Sequence, residues 1–218
     1  MDQKNELKIV NQKIIRGKII VQTGLLIGGP EGPMKIGGVD KEPINIEGKP
    51  YIPGSSLKGK MRAVLSYKYG ERNEEINHLF GSSKEKGESS KEKSESSEEK
   101  SESSEEKSEY AASRIIVRDC FLSEEWKNKP ISELYEIKME NTIDKKTGKT
   151  KGGGLRTFKR VKPGVCFDFE IIINELNDGK LTIERAEKLV KESFELIENS
   201  YLGGSGSRGY GKVKIEIS

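Results

Sequence analysis

Residues 203–211 read GGSGSRGYG: five glycines, two serines, one arginine and one tyrosine. Glycine lets a backbone come close to a bulky ligand and reach φ > 0. Successive N–H groups in such a turn form an anion-binding nest. Ser205, Ser207 and Arg208 add side-chain donors suited to phosphate. The same chemistry recurs at 55–62, where Ser55, Ser56, Lys58, Lys60 and Arg62 stand at the start of a helical pattern. Open N–H groups at a helix start favour anions. Leu57 and Met61 mark the face of that helix that turns inward. Both segments fit a sugar-phosphate backbone, and two of them suit a continuous RNA strand better than one nucleotide.

Two motif matches fail on their surroundings. Residues 204–209 fit GxGxxG, but a dinucleotide site needs that motif between a strand and a helix. Here it follows a helix and precedes the last strand. Residues 54–60 (GSSLKGK) fit GxxxxGK, yet position 61 is Met61, where a P-loop needs Ser or Thr to hold Mg²⁺. NTP hydrolysis is excluded. His78 is the one histidine, which excludes a two-histidine acid/base ribonuclease and any metal site of several imidazoles. Its setting, EEINHLF, reads as packing or surface. Cys120 and Cys166 have no CxxC context, so they read as buried structural thiols, not a zinc site or a disulfide.

The elements that position these residues are set by a chain of 218 residues with only 32% hydrophobic content. Residues 82–109 explain the deficit: six Lys, ten Glu, eleven Ser and Gly87, with KSESSEE twice in tandem. With no apolar residue, this insertion cannot offset its ordering entropy and reads as a disordered surface loop. It carries a charge of −4 against +3 for the whole chain, so the remaining residues carry +7. That basic balance favours a polyanionic partner. No apolar run approaches a membrane span and no signal peptide is present, so a cytoplasmic protein is expected.

Strands are predicted at 14–21, 44–46, 114–122 and 165–173, with a last one at 212–217. Helices are predicted at 55–69, capped by Ser55 or Ser56 and ended by Gly70, at 74–80, and at 182–199. Residues 135–142 and 155–161 read as two arms of a long hairpin. Over 138–162 there are nine Lys/Arg and two acids, a net +7 that equals the whole surplus of the folded part. A hairpin this basic suits nucleic acid. Without the insertions the order is β-α-β-β-α-β, an α+β class with the ferredoxin-like arrangement of RNA-recognition modules. The RNP1 aromatics of those modules are absent, so loops and backbone N–H groups should do the binding.

TGLLIGG at 23–29, IGGVD at 36–40, YIPGSSLKGKMR at 51–62, RDCFL at 118–122, ENTID at 140–144 and YLGGSGSRGYGKV at 201–213 occur in this order. Together they resemble the backbone RAMP-superfamily subunit of type III-A (Csm) CRISPR–Cas effector complexes, over nearly the whole chain outside 82–109. The resemblance implies one RAMP domain over 1–218 that stacks with copies of itself along CRISPR guide RNA, beside other Csm subunits. The hairpin over 135–162 would be a thumb inserted into the guide–target duplex, and target RNA would be cut at regular intervals with a divalent metal, Mg²⁺. RNA contacts are implied at Gly28, Gly29, Ser55, Ser56, Lys58, Lys60, Arg62, Asn141 and Arg156, and from Gly204 through Ser205, Gly206, Ser207 and Arg208 to Gly209. Asp40, in the IGxxD loop, takes the catalytic and metal-binding role. Leu26 departs from the family, in which histidine is common there.

Such chemistry must proceed without histidine. A splayed nucleotide puts its 2′-OH in line with the adjacent phosphorus, and phosphoryl transfer can run on positioning and electrostatics. Asp40 could bind Mg²⁺ with phosphate oxygens as further ligands, or act as base for the 2′-OH. A site with so few protein ligands should be silent without RNA. Two other readings use the same residues. One is a non-catalytic RNA-coating scaffold. The other is a guide-RNA processing nuclease, against which the lack of a histidine- or tyrosine-based acid/base pair counts.

Overall fold

The computed structural model describes residues 6–28, 39–82 and 111–218. Alternation of apolar and polar residues builds its main sheet. In β1 (Ile9–Val21) the side chains of Ile15, Ile19 and Val21 turn inward, while Arg16 and Lys18 face out. Gly17 belongs to the inward set, because a Cβ there would lie 2.0 Å from the Glu216 carbonyl and 2.8 Å from the Phe169 ring. β8 (Cys166–Leu176) buries Phe167, Phe169, Ile171 and Ile173 on the same side. β9 (Val213–Ile217) adds Val213 and Ile215. The sheet runs β4-β8-β1-β9, each pair antiparallel, with β4 at Ile115–Val117 and β5 (Phe121–Leu122) also on β8.

Two long helices cover the apolar face. α1 (Gly54–Tyr69) buries Leu57, Met61, Val64 and Leu65, at the spacing that puts them on one side. α5 (Ile183–Glu198) buries Ile183, Ala186, Leu189, Val190, Phe194 and Ile197, and Phe194 meets Phe169 edge-on at 5.2 Å between centroids. Thr182 caps α5 by accepting from the Arg185 N–H. The helices are tied at their polar seam by Glu192, which accepts from the Tyr69 hydroxyl and pairs with Lys68. α2 (Glu74–Phe80), capped by Asn73, closes the end of this layer. The molecule is therefore α+β with an antiparallel sheet.

Several expectations shift. Neither Ser55 nor Ser56 caps α1: the cap is Pro53, and the serines fall inside the first turn. The helix starts one residue early because the Asp119 carboxylate accepts the Gly54 N–H at 2.7 Å. The single strand expected over 114–122 is two, β4 and β5. Between them the Arg118 N–H still donates to the Glu170 carbonyl of β8, the chain turns away at Asp119, and Cys120 bridges to Ile52 instead. β1 begins at Ile9, not at 14. The strand expected over 44–46 is half of a small hairpin, β2 (Asn45–Ile46) with β3 (Lys49–Pro50). Its turn puts Glu47 and Gly48 both at positive φ, 51° and 78°, the backbone that two-residue hairpins require. α3 (Glu124–Lys127) and α4 (Ile131–Leu134) are single turns with no sequence counterpart. The hairpin is present as β6 (Tyr135–Ile143) and β7 (Thr150–Val161), a two-stranded sheet apart from the main one. Residues 82–109 lie outside those described, apart from Ser82, which pairs with Ala111. Gly29 also lies outside them.

Cys120 and Cys166 are free and buried, and burial pushes the Cys120 thiol up to about 12. His78 is partly buried on α2, where burial and then Arg114 hold its pKa below the ordinary range. Among the described residues, no helix is long and apolar enough to cross a membrane.

Candidate nucleic-acid interface

The glycine loop divides its glycines between two tasks. Some serve the fold. A Cβ at Gly203 would meet the Leu26 carbonyl at 2.6 Å, and one at Gly211 would meet the Leu202 carbonyl at 2.0 Å. A Cβ at Gly206 would strike the Tyr201 ring at 2.0 Å. Four N–H groups are also spent internally: Gly204 on Leu26, Arg208 on Ser205, Gly209 on Gly206 and Gly211 on Gly24. Ser207, Arg208 and Gly209 are exposed. Ser205 is left-handed at φ 59°, a 3-10 turn follows over Gly206–Arg208, and Gly209 is left-handed again. The N–H groups of Ser205, Gly206 and Ser207 take no acceptor among the described residues. A left-handed residue entering a helical turn with open N–H groups is the geometry of an anion nest.

At the start of α1 the five candidate residues separate. Ser55 and Arg62 are exposed, and the Arg62 guanidinium donates to Asn77 Oδ1 at 3.3 Å. Lys58 turns toward β4, donating to Ser113 Oγ at 2.8 Å and the Ile115 carbonyl at 3.2 Å. Burial and the nearby Arg62 lower its pKa. Lys60, lowered by burial alone, lies 3.9 Å from the Tyr201 ring centroid. Tyr201 is the ring that covers Gly206, so Lys60 joins the helix start to the glycine loop.

Asp40 is held on the outer edge of the hairpin. Its N–H donates to the Thr157 carbonyl at 2.8 Å, and its Oδ2 accepts from the Thr157 N–H at 2.5 Å. Lys41 bridges Phe158, and Glu42 pairs with Lys159 at 3.5 Å. Gly28 bridges Pro43, tying the first glycine-rich segment to the same strip. Oδ1 of Asp40 has no partner among the described residues, and the side chain is exposed. Arg156, next to Thr157, and Asn141, opposite Leu155, are exposed on the two hairpin arms. Asp40, Arg156 and Asn141 therefore share one stretch of hairpin.

Residues absent from the sequence-level candidates hold this strip to the glycine loop. Leu26, Phe158 and Tyr210 form a small apolar cluster of their own, with Phe158 edge-on to Tyr210 at 6.4 Å. Leu26 is thus a packing residue here, not an exposed RNA contact. The Tyr210 hydroxyl donates to Glu140 on β6 at 2.6 Å. Lys138 and Arg160 lie 4.4 Å and 4.3 Å from the Tyr210 ring centroid. Glu140 sits inside ENTID and Tyr210 inside the glycine loop, but 70 positions separate them, so only the fold reveals that they meet.

Comparison with known proteins decides the family. The RAMP superfamily model matches residues 19–214. A Methanocaldococcus jannaschii protein named "CRISPR system Cms endoribonuclease Csm3" is 40% identical over 224 residues, covering 96% of this chain and 80% of that one. A Streptococcus thermophilus protein of the same name is 36% identical, covering 91% and 84%. The chain belongs to the RAMP superfamily, in its Csm3 family. Solved type III-B Cmr-beta structures share the fold at lower identity. A type III-B Cmr-beta structure in its apo state matches with a TM-score of 0.59 at 12% identity, covering 94% of this chain and 96% of that one. One bound to cognate target RNA matches at 0.56 and 20% identity; it covers 95% of this Csm3-family chain, which spans 61% of that longer one.

Proposed function

We propose that this Csm3-family chain holds CRISPR guide RNA as a repeated filament subunit of a type III-A effector complex and cuts the bound target RNA at regular intervals. The observation that carries the reading is the seat of Asp40. Main-chain bonds to Thr157 fix it on the basic hairpin, with one carboxylate oxygen facing outward. The hairpin in turn rests against a glycine loop with three open N–H groups. The endoribonuclease name of the relatives supports the activity. The skeleton β1-α1-β4-β8-α5-β9, with sheet order β4-β8-β1-β9, supports a ferredoxin-like RAMP domain with a thumb hairpin. Guide RNA, target RNA, further copies of the chain and other Csm subunits are its partners, and the particle works in the cytoplasm.

The divalent metal fits this site only as a shared one. Among the described residues no group of three His, Cys, Asp or Glu could cage an ion. One exposed carboxylate oxygen can supply a single ligand, and Mg²⁺ characteristically takes one or two carboxylates with substrate phosphates and water. When bound, the ion would stabilise charge on the phosphate oxygens. The chain's own part is positional. Thr157 holds Oδ2 and so orients Oδ1. The open N–H groups of the glycine loop, with Ser55 and Arg62, hold the sugar-phosphate backbone in register.

Asp40→Ala in the reconstituted complex tests the reading, with guide binding and target cutting measured side by side. Cutting should fall at least about 100-fold with guide binding unchanged. Cutting that persists would leave Asp40 a turn residue, and a wild-type complex that does not cut at regular spacing would leave the chain a scaffold.

A further inference from the structure

Glu140 is the hub of a network that joins the hairpin to the glycine loop. Its side chain is 20% exposed, and both oxygens are engaged. Oε1 accepts from the Tyr210 hydroxyl at 2.6 Å and pairs with Lys138 at 3.1 Å. Oε2 pairs with Arg208 at 3.4 Å. These contacts differ in strength. The Tyr210 bond is short and lies on a side chain that is 2% exposed, so water competes poorly for it. The Arg208 contact is long and its side chain is 57% exposed, so it is weak and readily exchanged. The Tyr210 bond, then Lys138 and Arg208, hold the Glu140 carboxyl below its usual range. Glu140 is therefore a full negative charge beside the one arginine of the loop.

We propose that Glu140 is a positioning residue that stands in for phosphate. Without RNA it holds Arg208 and Lys138 oriented. When the RNA backbone enters the glycine loop, a phosphodiester takes over Arg208, while the Glu140–Tyr210 bond stays and fixes the hairpin against the occupied loop. The register supports this coupling. Glu140 faces Arg156 across the hairpin, and the next residue of β7, Thr157, is the one that anchors Asp40. Guide binding in one loop is thereby transmitted to the position of the carboxylate held on the other side of the hairpin. The inference rests on the RNA-binding reading given above.

The test uses the complex reconstituted with guide RNA and full-length chain carrying Glu140→Gln, Tyr210→Phe, or both. Three readouts apply: hydrogen exchange over 135–161, guide affinity against salt, and single-turnover cutting. In the wild type, guide RNA should slow hairpin exchange about tenfold, and either single variant should reduce that to about twofold or less. Cutting should fall about tenfold in each, the loss expected for one hydrogen bond to a charged group. The double variant should match the singles within about twofold, because both abolish the same charge-assisted bond: glutamine keeps only a neutral acceptor for the hydroxyl and phenylalanine has no donor. Glu140→Gln should bind guide about threefold more tightly at low salt, since a competing carboxylate is gone. Glu140→Asp, too short to reach Tyr210 but still charged beside Lys138, should behave as Tyr210→Phe and serves if the glutamine variant does not fold. Hairpin exchange indifferent to guide in the wild type would overturn the proposal. So would single-variant effects that multiply in the double, or weaker guide binding by Glu140→Gln. Asp40→Ala in the same particle keeps the two readings apart: cutting that survives it sinks the Asp40 assignment, while the exchange data still judge Glu140.

Discussion

Gly206 and Gly209 sit three positions apart in one loop, and their lack of a side chain answers different needs. An alanine methyl at Gly206 would overlap the Tyr201 ring, and Tyr201 is what Lys60 rests on. Forcing a methyl into a packed contact costs about 1–3 kcal/mol. At Gly209 nothing lies within 4 Å of an added Cβ, and only the positive φ of 83° resists substitution. That conformation costs an alanine about 1 kcal/mol. Urea denaturation of the free protein should therefore rank Gly206→Ala as the more destabilised. Gly209→Ala should instead show its larger effect on guide binding, because the space beside it is open and the residue closes the turn proposed as the nest. Equal stability losses would mean that Tyr201 moves aside freely and that the loop is not packed as described. The sequence marks both positions only as glycine. Which of them is packed and which is open depends on Tyr201, a neighbour that no local pattern names.

Among the elements, α2 and α5 are fastened by a two-pronged ion pair, Arg185 Nε and Nη2 to Glu75 at 2.8 and 2.6 Å. The Arg185 bonds hold the Glu75 carboxyl below its usual range despite some opposing burial. A carboxyl whose pKa is depressed on folding adds stability above its unfolded value, near 4.3, and loses that stability as pH falls through the folded value. Glu75→Gln should thus be less stable than wild type at pH 7, by about 1 kcal/mol or less because both side chains are about a third exposed. The gap should close as the pH drops below about 4, read as converging melting temperatures. A gap that does not narrow as the pH falls below about 4 would point to lost packing instead of lost charge. β1, β8, α1 and α5 were legible because each repeats its apolar residues with the period of its own secondary structure. The break between β4 and β5 was not, since it depends on Asp119 leaving its strand to meet Gly54. α3 and α4 are too short to show any period. The basic hairpin was visible from its charge, but the strand-like edge that carries Asp40 is a single run of main-chain bonds to β7 and leaves no trace in residue type.

For the whole molecule, the insertion separates folding from charge. Its ends are already joined in the fold: the Ser82 N–H donates to the Ala111 carbonyl at 2.9 Å, and the Ala111 N–H to Ser82 Oγ at 3.0 Å. A short turn between Ser82 and Ala111 can therefore replace residues 83–110 without moving β4 or α2. Closing a loop costs about 0.6 kcal/mol more for each doubling of its length. Cutting 28 residues to a two-residue Asn-Gly turn should leave the chain up to about 2 kcal/mol more stable, provided the turn is unstrained. The same excision removes six lysines and ten glutamates and takes the net charge from +3 to +7. Affinity for RNA of unrelated sequence should then rise severalfold at about 50 mM salt and converge with that of the full chain at several hundred millimolar, as screening removes long-range charge effects. The slope of log affinity against log salt counts phosphates neutralised by the protein. It should steepen only slightly, because the hairpin and loop cations proposed to meet phosphate are the same in both proteins. A large change in slope would mean that the acidic segment itself covers cations of the interface. An unstable excised protein would mean that the segment contributes packing to the folded chain.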